Sequence, residues 1–376
     1  MTLNVLCIGD IHIQTSNTLD IKIFTDKLYE YIEEKKDMID MIVLMGDILH
    51  THERLHTIPF NIATSMFETL SKLKPLYILV GNHDYINNSQ FLTDNHWLNC
   101  FKNKNNIHII DNVLLCNHNN LNVIMCPYVP DGRFIEALNN LNTKFDWKKA
   151  DCIFAHQLFD GAKMGAVIAE NVEKWDENYP YLISGHIHDK QKIQNNLYYT
   201  GSSMQHAFGE SHDKTICLVK IDTSIYIEEI DLNLPKKQIL YYDIENIDPS
   251  INKNNEDEIN KVLKLLDTPN THYKITISGN FEQFKVFKKN PSFIKLQKNG
   301  TKVVFKNKLV DILNQKHLIK STGDISEHLS FKDILFELLS NDNNLNYKNK
   351  FKLNNIYNSF YKGSEIYNNK HIQLID

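Results

Sequence analysis

Arginine is almost missing from this chain of 376 residues, which has Arg54 and Arg133 and otherwise draws its positive charge from lysine. With the abundance of Asn, Lys and Ile, this reads as AT-rich coding, which hints at a virus, a phage or an AT-rich microbe and carries no chemistry. Long apolar runs are missing too. None approaches the roughly 20 residues that a membrane span requires, and Met1-Thr2-Leu3-Asn4 lacks the basic-then-apolar order of a secretion signal. No membrane association is expected, and the expected location is cytoplasmic, the host cytosol if the source is viral or phage. Paired cysteines are absent as well: Cys7, Cys100, Cys116, Cys126, Cys152 and Cys217 include no C-x-x-C, and several sit inside apolar runs. That points away from a zinc or disulfide framework and toward reduced, mostly buried thiols. No internal repeat is visible.

What is present is the composition of a globular protein with more than one unit. Hydrophobic residues make up 42% and gather into short runs between polar stretches, while the length exceeds the about 100–200 residues of a usual domain. The formal charge of −5 conceals an asymmetry. From residue 236 onward 22 lysines face 16 acidic residues, whereas the first 235 residues hold 19 basic against 30 acidic ones. Metal-holding carboxylates on one side and a polyanion-binding surface on the other would give such a split, and so would a solvated lysine face.

Five apolar runs have strand length: Leu3–Ile8, 41–45, 76–80, Cys152–Ala155 and Tyr181–Ser184. Continuous rather than alternating hydrophobicity predicts strands covered on both faces, as in a layered α/β core. Between the first three lie two amphipathic helices, one marked by Ile23, Leu28, Tyr31 and Ile32, the other by Ile62, Met66, Leu70 and Leu73, so the start of the chain has the βαβ pattern. After Asp111 the texture becomes β-rich (113–116, 123–126, 193–199, 215–221, 225–230), which predicts a second sheet. Leu234-Pro235-Lys236-Lys237 and the Asn/Asp/Pro-rich residues 246–255 read as the exit from this domain. Beyond it the spacing predicts a helix carrying Ile259, Val262, Leu263 and Leu266, a strand at 273–277, and a helix capped by Ser330 with Phe331, Ile334, Leu335 and Leu338 on one stripe.

What ends each run carries the chemistry. In order, the five runs stop at Gly9-Asp10-Ile11-His12, Gly46-Asp47-Ile48-Leu49-His50, Gly81-Asn82-His83-Asp84, His156 and Gly185-His186-Ile187-His188. Ligands of layered α/β folds bind beyond the carboxyl ends of the strands, so five distant segments are expected to meet in one crevice. D-x-H and H-x-H spacings keep both side chains on one side of an extended segment. Imidazoles, carboxylates and an amide without thiolate suit hard-to-intermediate divalent metals. Taken singly, each motif is ordinarily a loop, a turn or a core histidine; five in this order, each after an apolar run, are poorly explained by chance.

The collinear pattern D-x-H, G-D, G-N-H-D, H, G-H-x-H across residues 9–188 resembles that of the calcineurin-like metallophosphoesterase superfamily. The resemblance implies an α/β, four-layer α-β-β-α sandwich with a smaller α+β capping domain and a C-terminal helical tail. It implies two divalent metal ions, Mn²⁺ first and Mg²⁺ as the alternative. Asp10, His12, Asp47 and His188 would hold one, and Asp47, Asn82, His156 and His186 the other, with Asp47 bridging. His83 would act as acid or oxyanion stabiliser near the leaving oxygen, and Asp84 as its orienter.

Protein phosphatases of the superfamily carry G-D-x-x-D-R-G at the second motif; here Gly46-Asp47-Ile48-Leu49-His50 has no such arginine. It resembles instead the nuclease branch, namely the bacterial SbcD nuclease, the double-strand-break repair nuclease and the T4-like phage recombination endonuclease subunit. In that branch His50 would be a second catalytic histidine, although a histidine near His52 and His56 also suits a plain polar loop. Tyr199-Thr200-Gly201-Ser202-Ser203 followed by Ala207-Phe208-Gly209-Glu210 resembles the branch's P-G-S … F-x-E segment, with Thr200 replacing proline. From 283 to 310 there are eight lysines, Lys285, Lys288, Lys289, Lys295, Lys298, Lys302, Lys306 and Lys308, and no acid, which suits a duplex DNA backbone. Phe284, Phe287, Phe293 and Phe305 among them are more often core than stacking platforms.

The expectation is a metal-dependent DNA nuclease, an exonuclease on duplex ends and an endonuclease on single strands or hairpins, serving DNA end processing, recombination and repair. Residues 1–235 would form the metallophosphoesterase domain, 236–320 the basic DNA-binding cap, and 321–376 a helical segment docking an SMC-like ATPase subunit of SbcC type. By the same analogy the protein would be a homodimer associated with the nucleoid. A nucleotide or cyclic-nucleotide phosphodiesterase shares the ligands without needing the cap, and a non-catalytic scaffold is the reading from outside enzymology.

Overall fold

The computed structural model describes residues 2–52, 54–243, 270–279, 284–285, 288–289, 293–294 and 302–307; all but the last belong to one compact unit, Met1–Lys306. Four parallel strands, β1 (Leu3–Ile8), β2 (Met41–Leu44), β3 (Leu76–Leu79) and β4 (Ile107–Ile110), stand side by side in chain order. β13 (Ile216–Ile221) adds antiparallel to β1, and β14 (Ile225–Ile230) closes that edge as a hairpin. A second sheet contains β5 (Leu114–His118), β6 (Leu121–Met125), β7 (Cys152–Ala155), β10 (Tyr181–Ser184), β11 (Gln191–Gln194) and β12 (Leu197–Tyr199), in the order β11-β12-β10-β7-β6-β5, while β8 (Lys163–Met164) and β9 (Val167–Ile168) pair as a separate short hairpin.

Strand periodicity explains why the runs are apolar throughout. Leu3, Val5 and Cys7 of β1 pack with Val43, Phe154, Ile183 and Val219 between the sheets, whereas Leu6 and Ile8 join the core under the helices. In β7, Cys152 and Phe154 face the first sheet while Ile153 and Ala155 face an outer layer of Phe134, Trp147 and Trp175. Side chains alternate faces, and both faces are covered. Helix α1 (Thr18–Lys35) buries Ile21, Phe24, Leu28 and Ile32, and α2 (Thr57–Leu73) buries Ala63, Met66, Phe67 and Leu70, each a stripe of helical spacing. α2 stops where Lys74 turns extended ahead of Pro75, since a residue before proline is pushed out of the helical region. The outer layer on the second sheet is thin, with α3 (Phe134–Asn139) and a single turn at Trp147–Lys149. The result is the expected α-β-β-α sandwich.

Three details differ from the sequence reading. Residues 193–199 are a hairpin, because Asn195-Asn196 supplies a turn between β11 and β12. β4 and α3 were not anticipated, being too short to declare a period. The chain leaving Leu234-Pro235 enters directly an eight-residue strand, β15 (Lys236–Asp243), which runs parallel to β16 (Thr271–Gly279) and with β17 (Lys302–Asn307) makes a three-stranded sheet. Its core is Ile275, Ile277, Phe284 and Phe293, flanked by Leu240, Tyr242, Val303 and Phe305, so these phenylalanines are packing residues. The helices expected near Ile259 and Phe331, Lys295 and Lys298, and the whole 321–376 segment lie outside the described residues.

All six cysteines are free, with Cys7, Cys126, Cys152 and Cys217 buried. Among the described residues no helix is long and apolar enough to cross a membrane. Phe154, fully buried between the two sheets, tests the sandwich: Phe154→Ala is expected to lower unfolding free energy by about 3–5 kcal/mol, measured by denaturant titration.

Candidate metal centre

The carboxyl ends of β1, β2 and β3 are neighbours in one sheet, and those of β7 and β10 are neighbours in the other. The loops leaving them meet. His12, Asp47 and His186 have φ of 47°, 52° and 79°, a left-handed conformation costly for side chains of their kind and retained where surroundings over-determine it. Here buried carboxylates do so. Asp10 accepts the backbone N–H of His186 at 3.0 Å, and Asp47 accepts that of His83 at 2.8 Å. Asp84 accepts those of Ile48 (3.1 Å), Leu49 (3.4 Å) and Gly81 (3.1 Å) together with the Trp97 indole (2.9 Å). Gly81 is required by packing, since a Cβ there would clash with the backbone nitrogen and Oδ1 of Asp47.

Asp47 stands between two groups of donors. Its Oδ2 lies 3.5 Å from His12 Nε2, and His12 Nε2 lies 3.1 Å from His188 Nε2. Its Oδ1 lies 3.4 Å from His156 Nε2. On that side Asn82 Oδ1 is 3.0 Å from both His156 Nε2 and His186 Nδ1, and the two ring nitrogens are 3.3 Å apart. Asp10, His12 and Asp47 form one candidate cation group and Asp47, His156 and His186 another, so Asp47 is common to both. The structure therefore brings together all seven residues singled out from the sequence as ligands.

The chemistry of this donor set fits divalent metal. His156 donates Nδ1–H to the Met45 carbonyl at 2.7 Å, which in the neutral ring leaves a lone pair on Nε2 facing the Asn82 and Asp47 oxygens. Converged lone pairs need a positive charge among them. A proton can supply it: burial opposes charging His156, but Asp47 and Asp10 raise it to about 9. Burial opposes the charge on Asp47 too, yet His156 and His12 hold that carboxyl well below its usual range. Burial pushes Asp10 up, with Asp47 adding to the rise against His156. Burial and then His156 lower His186 to about 3, and burial lowers His12 well below its ordinary value. Neutral imidazoles around ionised Asp47 are the ligand state, and cations would replace the proton on His156.

His83 and His50 border this cluster without belonging to the Asp47 groups. His83 donates Nδ1–H to the His50 carbonyl at 2.7 Å, and its ring is stacked between His50 (5.5 Å between centroids) and His52 (4.6 Å). His50 Nδ1 lies 3.4 Å from His12 Nδ1. The contact expected between Asp84 and the His83 ring is not made: the Asp84 oxygens accept from backbone amides and the Trp97 indole, and the His50 carbonyl takes the place of Asp84 at the His83 ring. Sequence reasoning missed His52 and His206. His206 donates Nε2–H to the Asp10 carbonyl at 2.9 Å; no strand precedes it and no spacing marks it. Lys285, Lys288, Lys289 and Lys302 are exposed around the three-stranded sheet, Lys288 Nζ lying 4.6 Å over the Phe305 ring.

A core of two facing sheets whose strand ends present seven metal-type ligands around one shared carboxylate defines a metallophosphoesterase. Residues 3–190 match the family described as calcineurin-like phosphoesterase, and the chain belongs to it. "Putative phosphoesterase 244L" of Invertebrate iridescent virus 6 is 41% identical over 292 residues, covering 76% of this chain and 97% of that protein. "Putative phosphoesterase 078R" of Invertebrate iridescent virus 3 is 37% identical over 338 residues, 85% of this chain and 93% of the other. Among solved structures, GAP50, the anchor in the inner membrane complex of Plasmodium, aligns over 61% of this chain and 85% of its own at 15% identity, with a TM-score of 0.41 too low to argue from.

Removing the shared carboxylate tests the centre. Asp47→Ala is expected to lose both tightly held divalent ions and with them phosphodiester hydrolysis; two ions retained in elemental analysis of that variant would refute its bridging place.

Proposed function

We propose that the protein is a two-metal DNA nuclease, with Mn²⁺ ahead of Mg²⁺ as the resident ion. The observation that carries this is His50, which follows the Asp47 loop and stands against His12 and His83; a protein phosphatase of the family would be expected to present an arginine from the second motif. Asp10, His12, Asp47 and His188 are assigned to one ion, and Asp47, Asn82, His156 and His186 to the other. The chemistry that a pair of ions bound by these residues would supply is Lewis acidity toward a phosphate and toward the attacking water.

The chain's own residues then have separate tasks. His83 uses Nδ1 on the His50 carbonyl, so its Nε2 is the nitrogen left to donate to the departing alkoxide when the ring enters the reaction protonated, the state in which both ring nitrogens are donors. His50 stacks on the same ring and positions the nucleotide phosphate. Asp84 acts indirectly, by fixing the loops that carry Asp47 and Asn82. Exposed lysines of the 283–310 stretch support DNA as substrate, with residues 236–320 as cap. Residues 321–376 are assigned to an SMC-like ATPase of SbcC type, and the active form is taken as a homodimer in the cytoplasm, working on DNA ends, recombination and repair.

One observation favours a second reading. A cavity of about 670 Å³ opens beside His186 and His188, bounded by Met164, Phe208 and Glu210, a size suited to a small ligand. A nucleotide or cyclic-nucleotide phosphodiesterase would use it. End-labelled duplex and hairpin DNA with Mn²⁺, beside a small chromogenic phosphodiester, separates the two: cleavage of the small ester alone selects the second reading, and hydrolysis of neither selects a scaffold.

Two variants test the assignment further. His83→Ala is expected to keep both ions and lose about 10²–10⁴-fold in turnover; near-normal DNA cleavage would remove His83 from the catalytic groups. Replacing Lys288, Lys289, Lys295 and Lys298 by Gln is expected to weaken duplex binding and flatten its salt dependence, which has a log–log slope of about −0.9 per phosphate contact. The small ester should still be hydrolysed. An unchanged slope would make these lysines a solvated face.

A further inference from the structure

The segment following the last metal loop closes over the His12 and His188 side of the centre, with His206 at its middle. Besides donating to the Asp10 carbonyl, the His206 ring lies edge-on to His12 and His188, at 5.0 and 5.1 Å between centroids. One ring nitrogen from each of these three histidines lies within 4.8 Å of the others, and His206 Nδ1 is buried with no hydrogen-bond partner. The His206 backbone N–H donates to Glu210 Oε2 at 2.9 Å, and Glu210 Oε1 lies 3.5 Å from His188 Nδ1. Neighbouring bonds hold the same two loops: Ser203 Oγ donates to the Gly9 carbonyl at 2.6 Å, and Lys214 Nζ to the His188 carbonyl at 2.7 Å.

We propose that His206 is a positioning residue of the metal centre, fixing the turn of Asp10 and His12 through the Asp10 carbonyl and backing Glu210 against the His188 ring. The proposal rests on the two-metal reading and assigns His206 to one half of it, the cation position of Asp10, His12, Asp47 and His188. His12 is held in a left-handed conformation two residues after the carbonyl that His206 grips, so loss of that bond frees a strained turn. A carboxylate on the far nitrogen of a ligand histidine orients the ring and raises its basicity, and loss of such outer partners typically costs about 10–100-fold in metal affinity. The effect is therefore asymmetric: the Asn82, His156 and His186 position has no contact with His206 among the described hydrogen bonds.

The test is Mn²⁺ titration of the full-length chain, with free ion followed by electron paramagnetic resonance, for wild type, His206→Ala and His206→Gln. Wild type should bind two ions. His206→Ala should weaken one of them by about 10–100-fold and leave the other unchanged, whereas His206→Gln, whose amide can still donate to the Asp10 carbonyl, should stay near wild type. Unchanged affinity for both ions in His206→Ala would overturn the proposal, as would joint loss of both, because a one-sided role predicts asymmetry. Equal weakening in both variants would also overturn it, making His206 a direct ligand through its free nitrogen. Fewer than two ions in wild type would instead fail the two-metal reading itself.

Discussion

The fold converges on the crowding of acceptors around the Asp47 carboxylate. Two oxygens of one buried side chain face His12 on one side and His156 on the other. Burying an ionised group is costly unless it is paired, and here burial keeps His12 and His186 from charging, so that the protonated His156 carries the pairing. A structure that concentrates so many lone pairs is poor as a packing solution and good as a cation cage. The sandwich is the frame that makes the cage affordable: strands buried on both faces leave little freedom for their ends to relax apart.

The strained backbone of His12, Asp47 and His186 shows how that frame is transmitted. Each of these residues is held by a buried group from a different loop. His12 N–H donates to the Asp47 carbonyl, the Asp47 loop is held by Asp84, and His186 N–H is held by Asp10. Hydrogen bonds to charged acceptors contribute about 1.5–3 kcal/mol, comparable to the about 1–3 kcal/mol cost of a disfavoured backbone conformation. Asp84 belongs in this account rather than beside the reacting atoms. Its carboxyl is raised to about 6 by burial and then by Asp47, yet it still binds three amides and an indole, as a structural anchor does.

Legibility in the sequence followed how local each signal is. The five strands with ligands at their ends were visible because continuous apolar runs and D-x-H or H-x-H spacing are local patterns, and the family resemblance sits on those same residues. The layered core followed from the same runs. β4, with His108 interrupting its isoleucines, and the six-residue α3 carry too little periodicity to be read. Asp84 was assigned as the orienter of His83 by the resemblance alone, whereas neighbouring residues of that turn send their side chains to different partners. His206 could not be seen at all: the Asp10 carbonyl it holds is 196 residues away, and no property of either residue announces the other.

His206 also lies beside the point where the third sheet is fastened to the sandwich. Lys237, near the start of β15, donates its backbone N–H to Gln205 Oε1 at 2.7 Å and its ammonium to the Gln205 carbonyl at 2.9 Å, and pairs with Asp20 of α1 at 3.0 Å. Gln205 in turn donates to the Glu210 carbonyl at 3.0 Å. The residues flanking His206 are thus bonded both to the first strand of the third sheet and to the loop carrying His188's partner. Lys237 is nearly buried, so these bonds are shielded from solvent and salt and hold more firmly than surface pairs. A sheet whose exposed face bears lysines is therefore not merely appended to the sandwich. Its first strand is fastened to the segment that carries His206 and Glu210.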